Sequence, residues 1–101
     1  MDQQTPADGH ITRNEAGHRG GFIYTRDGRR LAEMTYSRSS DSLIIIDHTE
    51  VDDSLKGQGI ARRLLDALVA WARETGTKVM ATCPYARAQF AKDPSIRDVL
   101  A

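Results

Sequence analysis

The sequence predicts an α+β domain: an antiparallel meander of three strands, then one βαβ unit, then short C-terminal helices. Three observations carry this prediction. Two β-prone runs, 22–26 and 30–36, flank Asp27-Gly28, a dipeptide favoured in two-residue hairpin turns. The segment 43–51 opens with the apolar run Leu43-Ile44-Ile45-Ile46, which suits a central strand covered on both faces. Residues 62–74 place apolar side chains at helical spacing and are followed by another short strand-like run at 78–82. Strand, helix, strand in that order implies a right-handed crossover and a parallel pair.

Each element has its own local reason. Residues 1–17 are rich in polar residues and show no strong period, so they are expected to form a flexible N-terminal arm, pairing with the sheet at most near its end. The domain proper is expected over 18–101. Residues 37–42 read as a polar turn before the third strand. In the long helix, Ala61, Leu64, Leu65, Leu68, Val69 and Ala72 mark one face, while Arg62, Arg63, Asp66, Arg73 and Glu74 take the other. Gly76 is placed to end it as a left-handed cap. Pro84 closes the last strand. Residues 86–92 read as a short helix and 95–100 as one or two further helical turns.

Composition narrows the partners. The chain has 101 residues, 40% of them hydrophobic, enough for one compact domain. Lys plus Arg and Asp plus Glu stand at 14 each, giving zero net charge with histidine neutral. Nucleic acid and anionic membrane are therefore not expected as partners, because both usually demand a basic surface. A single cysteine, Cys83, allows no intramolecular disulfide and points to a reducing compartment. No run is apolar enough to span a membrane, and the N-terminus carries no signal-peptide core. The expected location is cytoplasmic. Three scattered histidines and one cysteine show no metal-ligand spacing, so no metal is expected.

The most informative segment is Lys56-Gly57-Gln58-Gly59-Ile60-Ala61, between the third strand and the long helix. Glycines in such a turn let backbone N–H groups approach an anion, and the helix N-terminus adds partial positive charge. A purely structural loop is the competing reading of Gly-x-Gly. The turn is not a P-loop, since it lacks the longer glycine spacing and the Gly-Lys-Ser/Thr ending. It is not a dinucleotide fingerprint either, because a Rossmann unit would not follow an antiparallel meander.

The combination resembles the GNAT superfamily of acetyl-CoA-dependent acyltransferases, whose signature is Gln/Arg-x-x-Gly-x-Gly/Ala at a strand-to-helix turn. Lys56 takes the first position and keeps the charge of Arg, Gly59 takes the fourth and Ala61 the sixth. A closer resemblance covers residues 18–101. His48-Thr49-Glu50-Val51, the glycine turn, Cys83-Pro84-Tyr85, and Phe90, Pro94, Asp98 and Val99 look like a small single-domain subgroup that lacks the first helices of the full fold. The resemblance implies a shortened GNAT fold and acetyl-CoA (coenzyme A) as cofactor. Backbone N–H groups from about Gln58 to Arg62 would take the pyrophosphate, with charge added by Lys56 and by Arg62 or Arg63. The pantetheine arm would lie along His48–Val51. The implied cofactor-binding set is Thr49, Glu50, Val51, Lys56, Gly57, Gln58, Gly59, Ile60, Ala61 and Arg62.

Acetyl transfer from a thioester to an amine needs a positioned thioester, a donor to its carbonyl and an acceptor for the amine's proton. Cys83 and His48 are the candidate catalytic residues. Cys83 ends the strand after the helix; it reads as a nucleophile, as an acid for the departing thiolate, or as an inert buried cysteine. His48 has the side chain suited to proton transfer, and reads alternatively as a core histidine. Strict alternation puts it on one face with Ile44 and Ile46, and Asp47, Thr49 and Val51 on the other, unless a bulge intervenes. Glu50 is a second possible base, Tyr85 a second possible acid, and Trp71 reads as core. His10 and His18 receive no role.

The leading expectation is an enzyme that transfers an acetyl group to an amine of a small molecule, peptide or protein. The alternatives are a non-catalytic acyl-CoA-binding module and a small interaction domain without cofactor. The acceptor, the acyl-chain preference and the oligomeric state are not legible in the sequence.

Overall fold

The computed structural model describes residues 9–101 and forms one five-stranded sheet in the order β1-β2-β3-β4-β5. The strands are β1 (His10–Ala16), β2 (Arg19–Arg26), β3 (Arg29–Ser40), β4 (Leu43–Val51) and β5 (Lys78–Ala81). The first four pair antiparallel in a meander. β4 and β5 are parallel and joined through helix α1 (Ile60–Thr75). Helix α2 (Pro84–Lys92) and a 3-10 segment (Pro94–Val99) follow. The chain closes on the free edge of β5, where the Ala101 N–H donates to the Val79 carbonyl at 3.0 Å.

The meander, the crossover and the helices agree with the sequence expectation. Asp27 (φ 53°) and Gly28 (φ 76°) both adopt positive φ, as a two-residue hairpin turn requires. Gly76 (φ 69°) caps α1, its N–H donating to the Ala72 carbonyl.

The N-terminal arm is revised from residue 10 onward; residues 1–8 lie outside the described region. His10–Ala16 is an edge strand, paired with β2 from His10↔Thr25 to Ala16↔Arg19. Its sequence hides this because its inward side is amphipathic rather than apolar. Ile11 packs against the core. The Arg13 guanidinium lies 4.7 Å from the centre of the Trp71 ring. Glu15 accepts from the Tyr36 hydroxyl at 2.6 Å and from Arg38 at 2.9 and 3.0 Å. The two-residue turn to β2 is opened by Gly17 (φ 62°).

The core lies on one face of the sheet only. Tyr24, Met34, Tyr36, Ile44, Ile46 and Val79 meet Leu64, Leu65, Leu68 and Val69 of α1, all essentially sealed from solvent. Burying each of these leucines contributes about 1.5–3 kcal/mol. Ala86 and Phe90 of α2, with Ile96 and Val99, extend the same cluster. Among the described residues, the opposite face carries no helix. Leu43 and Ile45 are therefore half-buried and Met80 is 48% exposed, so β4 is not covered on both faces as its apolar start suggests.

Candidate active site

The site forms where β5 leaves β4. Their pairing runs from Leu43↔Lys78 to Ile46↔Ala81 and stops. The N–H groups of Thr82 and Cys83 both donate to the Ile46 carbonyl, at 2.9 and 3.1 Å. Pro84 then opens α2 in its first turn, the position where a missing N–H costs nothing. β4 continues to Val51, held only by β3. The Asp52 N–H donates to the Leu31 carbonyl at 2.7 Å, and Glu50 and His48 stand opposite Glu33 and Thr35. Alternation along an antiparallel ladder then turns the backbone groups of Thr49 and Val51 away from β3, into the wedge beside β5.

A β-bulge decides which side chains flank this wedge. Tyr36 pairs with Ile46 and Thr35 with His48, so Asp47 is an extra residue in β4. After it, the face is inverted. Thr49 and Val51 stand opposite the buried Met34 and Ala32, on the core side. His48 lies on the open face, its imidazole Nε2 3.7 Å from a Glu50 carboxylate oxygen. The expected grouping of His48 with Ile44 and Ile46 is therefore corrected, since periodicity cannot anticipate an inserted residue.

Asp47 itself was not singled out by the sequence. Burial alone would raise its carboxyl, but hydrogen bonds from Thr35 (2.6 Å) and Ser37 (2.9 Å) and the charge of Arg19 outweigh it and hold the pKa below the usual carboxylate value. The fixed carboxylate pins the bulge.

Cys83 is 3% exposed and reaches into the base of the wedge from the core side. Its sulfur lies 3.2 Å from the Thr49 hydroxyl oxygen. Thr49 and Cys83 are thus brought together across the splay, and His48 is on the other side of the sheet. Tyr85 sits half-buried just beyond, and burial pushes its phenol above its ordinary pKa.

The glycine turn adjoins the end of β4. Asp52 accepts from the Ser54 N–H and hydroxyl, and the buried Leu55 anchors the segment. Gly57 (φ 78°) and Gly59 (φ 72°) are both left-handed, and a Cβ on either would point into open space. Gly59 is the N-cap of α1 with no side-chain cap, so the N–H groups of Ile60, Ala61 and Arg62 face outward without helical partners. The Gln58 N–H already donates to the Leu55 carbonyl. Lys56 pairs with Asp53 at 3.2 Å. The Arg62 guanidinium is committed to Asp66, Gln89 and Asp93, and the hydrogen bonds it donates to the carboxylates of Asp93 and then Asp66 raise its pKa. Arg62 therefore ties α1 to α2, a role its position in the turn does not reveal.

Residues 21–99 match the family model described as GCN5-related N-acetyl-transferase. No curated protein matches the sequence. The NMR solution structure of a GCN5-like candidate N-acetyltransferase from Staphylococcus aureus is 35% identical, with a TM-score of 0.68, covering 89% of this chain and 87% of that one. The ribosomal-protein-S18-alanine N-acetyltransferase from Escherichia coli is 18% identical with a TM-score of 0.63, covering 76% of this chain and 52% of its own. An aminoglycoside acetyltransferase from an uncultured soil metagenomic sample, in complex with sisomicin, is 20% identical with a TM-score of 0.60, covering 78% and 60%. These last two share the fold. The family match takes in β4, the glycine turn, α1 and Cys83 together, and the chain belongs to the GCN5-related N-acetyltransferase family of acyl-transfer enzymes.

Proposed function

We propose that this protein binds acetyl-CoA and transfers its acetyl group to an amine. The observation that carries this reading is the wedge. β4 outruns β5, presents the backbone of Thr49 and Val51 without a strand partner, and ends at an open left-handed glycine turn on a helix N-terminus. An extended chain with amide groups fits the first part and a pyrophosphate the second. Thr49, Glu50 and Val51 would flank the pantetheine arm. Lys56 to Ala61, with the N–H of Arg62, would hold the phosphates.

The two faces of the sheet divide the proton transfers. The amine nitrogen attacks the thioester carbonyl carbon, a C–N bond forms and the C–S bond breaks. His48, exposed on the open face beside Glu50, takes the amine's proton directly or through water. Cys83, on the core face, gives its proton to the departing sulfur and regains one from solvent. The Thr49 hydroxyl at 3.2 Å supports the sulfur while it is charged. A nucleophilic Cys83 would need a base to remove its proton, and its one side-chain partner among the described residues is a hydroxyl. The acid role is therefore preferred.

The acceptor is an amine of a small molecule, peptide or protein, reached from the uncovered face. There, a recess of about 450 Å³ is lined by Leu31, Glu33, Glu50 and Val51, among others. The reading is tested by the thermal unfolding midpoint with millimolar acetyl-CoA, using ATP and NAD as controls. At about 100 times the dissociation constant the ligand adds roughly 2.7 kcal/mol. Absence of an acetyl-CoA-specific shift overturns the proposal. A shift without thiol release across a panel of amines would instead identify a non-catalytic acyl-CoA-binding module.

A further inference from the structure

Ile46 and Thr49 both stand on the core side of β4, opposite Tyr36 and Met34, although they are three positions apart. Strict alternation forbids that spacing, so one residue between them must be inserted. Either Asp47 or His48 could take that place. The register decides it: His48 stands opposite Thr35, and Asp47 is the residue off the ladder.

Side chains from three strands meet at that residue. Thr35 and Ser37, on either side of Tyr36 in β3, donate to the two carboxylate oxygens of Asp47, at 2.6 Å to Oδ1 and 2.9 Å to Oδ2. Arg19 of β2, which pairs with Ser37, reaches the Ser37 hydroxyl at 3.3 Å and Asp47 Oδ2 at 3.4 Å. The Thr35 hydroxyl also lies 3.4 Å from the His48 carbonyl oxygen. The Asp47 side chain is 26% exposed, so its charge is partly withdrawn from water and rests on these donors. A neutral imidazole has one acceptor nitrogen and could not receive both hydroxyls. The cluster therefore favours Asp47 over His48 as the inserted residue.

We propose that Asp47 is a positioning residue for acetyl transfer. Clamped by Thr35, Ser37 and Arg19, it fixes the bulge at its own place in β4. It thereby sets Thr49 against Cys83 on the core face and His48 on the open face. This rests on the acetyl-transfer reading above. A slip of the bulge by one residue would bring residue 47 opposite Thr35 and leave His48 off the ladder. That slip would displace the proposed base and the backbone N–H of Thr49 together. Misplacement of a reacting group by about 1 Å costs on the order of a hundredfold in rate.

The test pairs kinetics with cross-strand NOE spectroscopy of the full chain. Thiol release is followed from acetyl-CoA with the panel amine that the parent turns over fastest. Asp47→Ala is expected to lower kcat by roughly tenfold or more, with KM for acetyl-CoA nearly unchanged. In its NOE spectrum, recorded without ligand, Thr35 should contact residue 47 as well as His48 across the strands. Asp47→Asn keeps an acceptor for Thr35 and offers Ser37 a donor, to which a hydroxyl can turn, so it should recover most of the lost kcat. Glu15→Gln, which weakens a carboxylate network on β1, should keep the parent's kcat. Thr35→Val removes a donor to the same carboxylate, is expected to share the loss, and serves if Asp47→Ala fails to fold. Parent-like turnover in Asp47→Ala overturns the positioning role and leaves the acetyl-transfer reading intact. So does a loss of kcat with the Thr35–His48 pairing unchanged, or an equal loss in Glu15→Gln. A parent that releases thiol with no amine overturns both.

Discussion

Two glycines with nearly the same backbone stand at opposite ends of α1, and they make a matched experiment. Gly59 has φ 72° and ψ 21°, Gly76 has φ 69° and ψ 23°, and a Cβ on either meets no atom within 4 Å. Replacing either by glutamate therefore costs the left-handed strain alone, about 1 kcal/mol. The helix dipole separates the two slightly. A carboxylate at the N-terminus gains about 0.3–1 kcal/mol and one at the C-terminus loses as much. Without ligand, Gly59→Glu is expected to cost well under 1 kcal/mol and Gly76→Glu roughly 1.5 kcal/mol. For a domain of this size each kcal/mol moves the midpoint by about 4–8 °C. With acetyl-CoA the order reverses. Gly76→Glu should keep the full ligand-induced shift, roughly 2.7 kcal/mol at 100 times the dissociation constant. Gly59→Glu places an anion where the pyrophosphate would sit and should lose it. The assay is a thermal melt of the parent and both variants with and without acetyl-CoA. Equal ligand-induced shifts in the two variants would refute the assignment of the turn to phosphate.

Three further outcomes are expected. Cys83→Ala and Thr49→Val should each lower kcat for acetyl transfer by tenfold or more, on the order expected for general acid catalysis, with the affinity for acetyl-CoA retained; detection of an acetylated Cys83 by mass spectrometry would show the covalent route instead. His48→Ala should reduce kcat while leaving the unfolding midpoint within about 0.5 kcal/mol of the parent, because the side chain is solvent-exposed; unchanged turnover would remove it from the chemistry. Hydrogen bonds from Arg38 and then Tyr36 lower the Glu15 carboxyl from 4.5 to about 2. A carboxyl depressed in the folded state contributes stability above its unfolded value and loses it as the pH falls through the folded one. Because Glu15 is solvent-exposed, screening leaves only a fraction of that shift as stability, so denaturant titrations should show roughly 1 kcal/mol lost as the pH falls from about 4.5 to 2, an acid limb that Glu15→Gln flattens.

What was local was legible in the sequence. The Asp27-Gly28 hairpin, the extent of β4, the amphipathic α1 with its glycine ends, and the parallel return to β5 follow from turn chemistry and periodicity, which involve residues a few positions apart. The glycine turn belongs to this class, since its left-handed backbone at Gly57 and Gly59 is set by those glycines themselves. What depended on pairing between distant segments was not legible. β1 is a strand because Ile11, Arg13 and Glu15 find the core, Trp71, Tyr36 and Arg38 across the fold, and a polar edge strand carries no signal of its own.

The bulge at Asp47 is the clearest case. It is a property of register between β3 and β4, and it alone sends Thr49 to Cys83 and His48 to the opposite face. The charges divide in the same way. Nothing in the run Arg62-Arg63 distinguishes its two members; α2 and the segment after it neutralise the first, while the second lies over the ring of Tyr24 on β2. The sequence by itself determined the scaffold and the open left-handed glycine turn, because both are written in contiguous residues. The tertiary structure decided which side chains meet at the wedge, because a single inserted residue inverts a strand's faces and only the partner strand determines where it goes.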